Sequence, residues 1–555
     1  MQTKLTIFLK IRPFFNALCI WLMFLVLSIL LLWFVGTDLI SNDGVQYLST
    51  AANIASGNGI STSVLYFDQH FQSGDIPSPQ AMWPPVFPLF LSILSHFGEN
   101  FHFTSVVLNL LLHGLSGLLL YRLLLRIGAS VSVSLVIVAT FFLFTQGWVN
   151  ALEIRSESLF ILTVLIGMHL LPDQVDHGKT IWFWVGITIG VAIAIRYVAV
   201  LMLGAALFML FLNCIRALHA SDRSTFKRII VNGSLLACGA LLIVVPTLVR
   251  NYRFSGSLLP RSGLDDGMSF IQMVALHVET LVSFLGFYEG GALMNGLRHV
   301  MFIILMMSFV ALFFHQCMTR SHRQDLKSVI VYSFWCTVFS IGFFIWTELS
   351  TTTTTFNARY LSVILLVAIP VFCWAGFCGQ PDGEVNRKIM AHPLYRSLIF
   401  VVAAIFLIGQ ANAALSSVRL IEHQNNLSQL LGETTSDGLP LYEIARKCTT
   451  DGQSLLSNQA QQTHRFLKVP TVGVAQSFYT SYRFDAERAG DLIQQYRISL
   501  MILHTRDFDF RWPIDDEAKA HLMDVIDYFK AEDSFDTIFD DGTTVVLRNS
   551  KLCET

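Results

Sequence analysis

Charge is scarce in this sequence. Only 14% of its 555 residues are Asp, Glu, Lys or Arg, against about 25% in a typical soluble domain. A net charge of -2 leaves no basic footprint, which excludes a nucleic-acid partner held through its phosphates. Cysteine is sparse and unpatterned. The nine cysteines include no C-x-x-C and no zinc spacing, which excludes a zinc ribbon or a thioredoxin-like redox site. No internal repeat is visible, and with it goes the usual mark of a transporter built from inverted halves. The stretch 37–103 contains no Lys and no Arg at all.

Hydrophobic residues are abundant instead, at 53%. They fall in blocks long enough, as helices, to cross a hydrocarbon core about 30 Å thick. We read spans at 17–36, 104–121, 128–146, 157–171, 180–195, 198–213, 229–248, 297–315, 328–347, 360–377 and 397–415. The chain is therefore expected to be a polytopic α-helical membrane protein with about eleven (ten to thirteen) transmembrane helices. Lys4, Lys10 and Arg12 precede the first span, which predicts a cytoplasmic N-terminus. The short loops on that side carry Arg122, Arg126, Lys179, Arg216, Lys227, Arg228, Arg320, Lys327, Arg387 and Lys388. This alternation obeys the positive-inside rule and, with an odd helix count, puts the tail outside.

The membrane part is expected over 1–417 and the tail over 418–555. In the tail, charge rises and the apolar runs shorten. Residues 454–458, 470–474 and 497–505 read as buried strands, and 516–532 as a helix with Leu522, Val525, Ile526 and Phe529 on one face. Residues 535–549 read as a hairpin turned at Asp541-Gly542. The tail is thus a small α/β unit, outside the cytoplasm on this topology. Cys448 and Cys553 are its only cysteines, and in an oxidising compartment they are candidates for a disulfide. Two further outer loops, 37–103 and 249–296, are long enough to fold. Within the first, 81–97 is apolar but broken by proline, and is expected to lie along the outer surface as a juxtamembrane helix with Trp83 at the interface.

The first loop places Asp38 and Asp43 just past the first helix. Asp38 reads as an ordinary interface carboxylate. Asp43 precedes a stretch with Tyr47, Ala51 and Ile54 on one helical face, so a helix is expected to start at Ser41 or Asn42. Arginines stand at the outer helix ends, against the positive-inside bias: Arg155, Arg196, Arg250, Arg253, Arg261 and Arg359. An ionisable group at such a position is a functional candidate, and guanidinium matches phosphate bidentately. The competing reading is snorkelling to headgroups, or a structural pair with a carboxylate such as Glu153 or Glu157. His70, His96 and His102, in or near the first loop, read as structural or acceptor-side residues, and no metal or cofactor site is expected.

Taken in order, "NDGVQYLSTAANIASGNG", "WPPVFPLFLSIL", "RSESLF", "RYVAV", "RNYRFSG", "ARYLSVILLVAIP" and "LLSNQAQ" give the chain a resemblance to the GT-C superfamily of integral-membrane glycosyltransferases. That superfamily includes the protein O-mannosyltransferases and the lipid A aminoarabinose transferases. The resemblance implies a polyprenyl-phosphate-sugar donor, a lipid, glycan or protein acceptor, and transfer on the outer face with inversion. It carries the general base onto Asp43 and donor-phosphate binding onto Arg250 and Arg359, with Arg196 and Arg155 behind. Tyr47, Tyr197, Asn251, Tyr360 and Glu157 stand beside these positions as substrate-site candidates. Where some members carry two adjacent acids, Asp43 is preceded by Asn42. The overall character points to a bacterial inner membrane with the tail periplasmic. A transporter or lipid flippase, and a non-catalytic envelope-assembly protein on the same fold, are the alternative functions.

Overall fold

Apolar runs dictate the larger part of the architecture. The structure, a computed structural model, describes residues 15–30, 41–94, 101–258, 327–350, 358–377, 432–474, 485–505 and 516–553, apart from isolated positions within them. The expected spans 297–315 and 397–415, the loop beyond residue 258 and Asp38 lie outside these residues.

The first loop opens with α1 (Asn42–Ala55) and closes with α2 (Val86–Leu94). The bundle then runs through α3 (Phe101–Arg126), α4 (Val131–Leu143), α5 (Thr145–Leu152), α6 (Glu157–Leu170), α7 (Lys179–Ile195), α8 (Val200–His219) and α9 (Arg223–Ser255). It resumes with α10 (Ser328–Ser350) and α11 (Ala358–Phe377). Among the described residues, Phe101–Arg126, Tyr197–His219, Arg223–Ser255 and Ser328–Trp346 are long and apolar enough to cross a membrane. The chain is an integral membrane protein.

Packing explains how these helices lie. α7 and α9 run against each other along their length. Gly186 and Gly190 on α7 and Gly239 on α9 allow it: a Cβ at 186 would overlap the Leu236 carbonyl, and one at 239 the Phe183 carbonyl. Small residues let helix backbones approach where lipid offers no hydrophobic drive for association. α9 has 33 residues, or about 50 Å of helix, well beyond the hydrocarbon thickness of about 30 Å. Arg250 lies in its last two turns.

α1 starts where the sequence predicts. Ser41 is its N-cap and accepts a hydrogen bond from Gly44 N at 3.1 Å. Tyr47 and Ala51 are buried on its inner face. Trp83 departs from expectation. It is only 4% exposed, with its ring beside those of Tyr47 and His70, so it belongs to the protein interior and not to a membrane interface. The cause is α1, which α2 and the residues before it cover.

The tail forms a sheet of β4 (Ser454–Ser457), β5 (Thr471–Gly473), β6 (Ile498–His504), β7 (Phe535–Asp540) and β8 (Thr544–Asn549). Its helices are α12 (Leu441–Cys448), α13 (Ala460–Leu467), α14 (Ala486–Tyr496) and α15 (Asp516–Lys530). The first loop supplies β1 (Ser61–Thr62), β2 (Val64–Leu65) and β3 (Ser78–Pro79). β1 and β3 pair antiparallel. β2 joins the tail's sheet, whose order is β2-β5-β4-β6-β8-β7. β2, β5, β4 and β6 pair in parallel, and β8 and β7 close the sheet antiparallel. Residues assigned to two separate regions by sequence thus share one sheet. Apolar cores fill both faces: α14 and α15 cover one, α12 the other.

Candidate active site

The loop helix α1 meets the arginine-bearing helix ends through a chain of polar contacts. Asp43 lies in the first turn of α1, where the positive end of the helix dipole favours a carboxylate. It is partly exposed. One turn on, the Tyr47 hydroxyl lies 3.2 Å from Ser156 Oγ, in the link between α5 and α6. Asn109 Nδ2 holds this link by donating to the carbonyls of Glu153 and Arg155 at 2.8 and 3.2 Å.

Two of the expected phosphate ligands already hold carboxylates. Arg155 and Glu153 form a buried ion pair within the link. Arg196 Nη1 donates to Glu157 Oε1 at 2.5 Å, with the Glu157 side chain fully buried. Arg196 caps α7 in an extended conformation just before a 3-10 turn, Tyr197–Ala199. That break turns the guanidinium toward the first turn of α6, where Glu157 sits.

Tyr197 and Asn251 meet. Asn251 Nδ2 donates to the Tyr197 hydroxyl at 2.7 Å, and that hydroxyl donates to the Ala81 carbonyl at 3.4 Å. Beside Asn251, Arg250 Nη2 donates to the carbonyls of Ile60 and Gln80 at 2.8 and 2.6 Å. Its guanidinium lies 5.6 Å from the Phe254 ring centre. Among the described residues Arg250 has no carboxylate partner, which sets it apart from Arg155 and Arg196. Arg359 and Tyr360 head α11; their side chains lie outside the described residues.

A buried amide-imidazole network braces the loop beneath these groups. Gln80 Nε2 donates to Gln46 Oε1 at 3.2 Å, Thr62 Oγ1 donates to the same oxygen at 2.9 Å, and Gln46 Nε2 donates to the Val64 carbonyl at 3.2 Å. His70 Nδ1 accepts from Tyr66 N at 3.1 Å, so its Nε2–H donates to Gln80 Oε1 at 3.0 Å. Both ring nitrogens are used, and burial pushes the imidazole down to about 4, the Gln80 bond opposing it. His70 is structural. Gln46 and Gln80 were not singled out by sequence; glutamines in a polar loop carry no motif.

Cys448 and Cys553 form a disulfide with Cα atoms 5.0 Å apart. Among the described residues no group of three His, Cys, Asp or Glu side chains is arranged to hold a metal ion.

Comparison with known proteins places this architecture. Residues 83–249 match the family of dolichyl-phosphate-mannose-protein mannosyltransferases. No curated protein matches the chain in sequence. Among solved structures, ArnT from Cupriavidus metallidurans bound to undecaprenyl phosphate is 13% identical with a TM-score of 0.53, over 96% of this chain and 99% of that one. The same protein in the apo state is 14% identical with a TM-score of 0.54, over 96% and 98%. The Archaeoglobus fulgidus oligosaccharyltransferase tethered to an acceptor peptide is 14% identical with a TM-score of 0.50, over 98% of this chain and 74% of that one. The chain shares its fold with ArnT and with the archaeal oligosaccharyltransferase.

Proposed function

We propose that this protein is a glycosyltransferase that moves a sugar from a polyprenyl-phosphate donor to an acceptor hydroxyl on the outer face of the membrane. The observation that carries the reading is the hydrogen-bonded joining of α1, with Asp43 in its first turn, to the helix ends bearing Arg250 and Arg196. The match to a mannosyltransferase family supports glycosyl transfer. The undecaprenyl phosphate bound to ArnT supports the donor class.

Asp43 acts as general base and takes the acceptor hydroxyl's proton. The acceptor oxygen bonds to the anomeric carbon as the bond to the phosphate oxygen breaks, configuration inverts, and polyprenyl phosphate leaves. Negative charge grows on the departing phosphate, and a cation already in place there lowers the barrier. Arg250 is the first candidate for this role, because Arg155 and Arg196 are matched by carboxylates. Arg359 is the second. Tyr47, Tyr197 and Asn251 fix the geometry around them. The disulfide supports an oxidising compartment for the tail, hence a cytoplasmic N-terminus and, in a bacterial inner membrane, a periplasmic tail.

The test is transfer by the reconstituted full chain from a panel of radiolabelled polyprenyl-phosphate sugars, with membrane extract as acceptor. Asp43→Asn is expected to lower kcat about 100- to 10,000-fold, the usual worth of a general base. Wild-type transfer by folded Asp43→Asn would overturn the assignment.

A further inference from the structure

The tail touches the first turn of α1. Gln462 on α13 donates from Nε2 to Asn42 Oδ1 at 2.8 Å. The amide's orientation is set from its other side, where Arg465 Nη1 donates to Gln462 Oε1 at 3.4 Å. Asn42 is the first residue of α1, and Asp43 is the next. A contact spanning 420 positions of sequence therefore ends one residue from the proposed base.

The junction around this contact is tightly built. β2 pairs in parallel with β5, Val64 opposite Thr471 and Leu65 opposite Val472. Val45, Val64 and Ala460 form a buried apolar cluster between α1, β2 and α13. Gly473 stands where these meet: a Cβ there would come within 2.8 Å of the Leu65 carbonyl and 3.1 Å of Ala460 Cβ. Farther along the same seam, the Tyr496 hydroxyl donates to the Phe71 carbonyl at 3.4 Å, and Arg488 lies over the Phe71 ring. α13 is thus held against α1 by packing beside the β2–β5 backbone pairing, and Gln462 makes a polar contact with the helix's first residue.

We propose that Gln462, oriented by Arg465, is a positioning residue: through Asn42 it sets the first turn of α1 and so holds Asp43 against the acceptor hydroxyl. This gives the tail a share in the catalytic step itself. The inference rests on the reading of Asp43 as base. A small displacement of a reacting group can cost up to about a hundredfold in rate, while loss of one neutral hydrogen bond shifts a local equilibrium roughly two- to tenfold. Gln462→Ala and Asn42→Ala are each expected to lower kcat about tenfold, with the donor KM unchanged. Asn42→Asp keeps an acceptor oxygen for Gln462 and restores kcat. The double variant Gln462→Ala/Asn42→Ala falls no further than either single, because both remove the same bond.

The experiment measures these variants and Asp43→Asn in the full chain, with the polyprenyl-phosphate sugar panel as probe. Hydrogen exchange of residues 41–47 provides a readout independent of activity. Exchange there is expected to rise roughly two- to tenfold in Gln462→Ala. If Asp43→Asn abolishes transfer but Gln462→Ala keeps wild-type kcat and exchange, the positioning role is refuted and the base survives. If the two alanine effects add in the double variant, the contact is not shared and the positioning role is again refuted. If folded Asp43→Asn transfers normally, the base reading fails and this inference fails with it.

Discussion

Removing one member of the Arg196–Glu157 pair should destabilise the protein far more than removing both. Glu157 is fully buried, and the Arg196 side chain is 11% exposed. Stranding one charge in such a site costs about 3–5 kcal/mol, whereas replacing both by apolar groups of similar volume is close to neutral. Glu157→Leu and Arg196→Met should each lower the Tm of the detergent-solubilised protein by roughly 6–10 °C, at about 2 °C per kcal/mol. The double variant should return to within about 2 kcal/mol of wild type. Tryptophan fluorescence during a thermal ramp reads both. A double variant as unstable as the sum of the singles, or a single variant without effect, would refute the pairing energetics. The stable double variant then separates two roles for Arg196. Unchanged transfer would make it a purely structural cation, while a sharp fall in kcat/KM for the donor would place the pair, Glu157 included, at the donor site.

Three further outcomes are expected. The Cys448–Cys553 bond closes a loop with a sequence separation of 105, so Cys448→Ser/Cys553→Ser should cost the tail about 4.7 kcal/mol; trypsin half-life of the tail with and without the bond measures it, and equal half-lives would refute it. Burial holds His70 and His464 down to about 4 and His504 to about 3, against opposing effects from Gln80, the Val469 carbonyl and Asp541 respectively. Their folded-state values lie below the unfolded one, so the unfolded chain binds more protons and stability falls as pH drops from about 6.5 toward 4. The loss should reach about 2 kcal/mol per histidine at pH 5, and a Tm that stays flat between pH 7 and 5 would contradict it. Finally, Gly186→Val drives a side chain into the Leu236 backbone and should cost about 1–3 kcal/mol or more, read as lost monodisperse protein on size exclusion. Gly342→Ala, which meets no atom within 4 Å, should be harmless.

Several features were legible because their cause is local. Hydrophobic runs mark helices, and α3, α6, α7, α8, α10 and α11 lie close to where such runs place them. Ser41 could be read as a cap because a hydroxyl before an apolar-periodic stretch satisfies an otherwise unpaired N–H. Asp541-Gly542 could be read as a turn because glycine takes the positive φ that the hairpin needs. The outer arginines stood out because charge at a membrane edge is costly without a reason. Sequence even offered Glu153 and Glu157 as possible partners, but not which arginine takes which.

The allocation itself is tertiary. Arg196 reaches Glu157 because α7 breaks at residue 196, and Arg250 reaches the Ile60 and Gln80 carbonyls because the end of α9 packs against the first loop. Trp83 looked like an interface anchor and is buried, since an indole suits either place and only its neighbours choose. β2 is two residues long, too short to carry any pattern, and its partner is some 400 positions away. Sequence alone determined that the chain crosses a membrane and where its rare charges stand, because hydrophobic length and charge cost are properties of short segments. Only the tertiary structure decided which charges neutralise one another and that the tail meets the loop of Asp43, because those contacts depend on how distant segments close on each other.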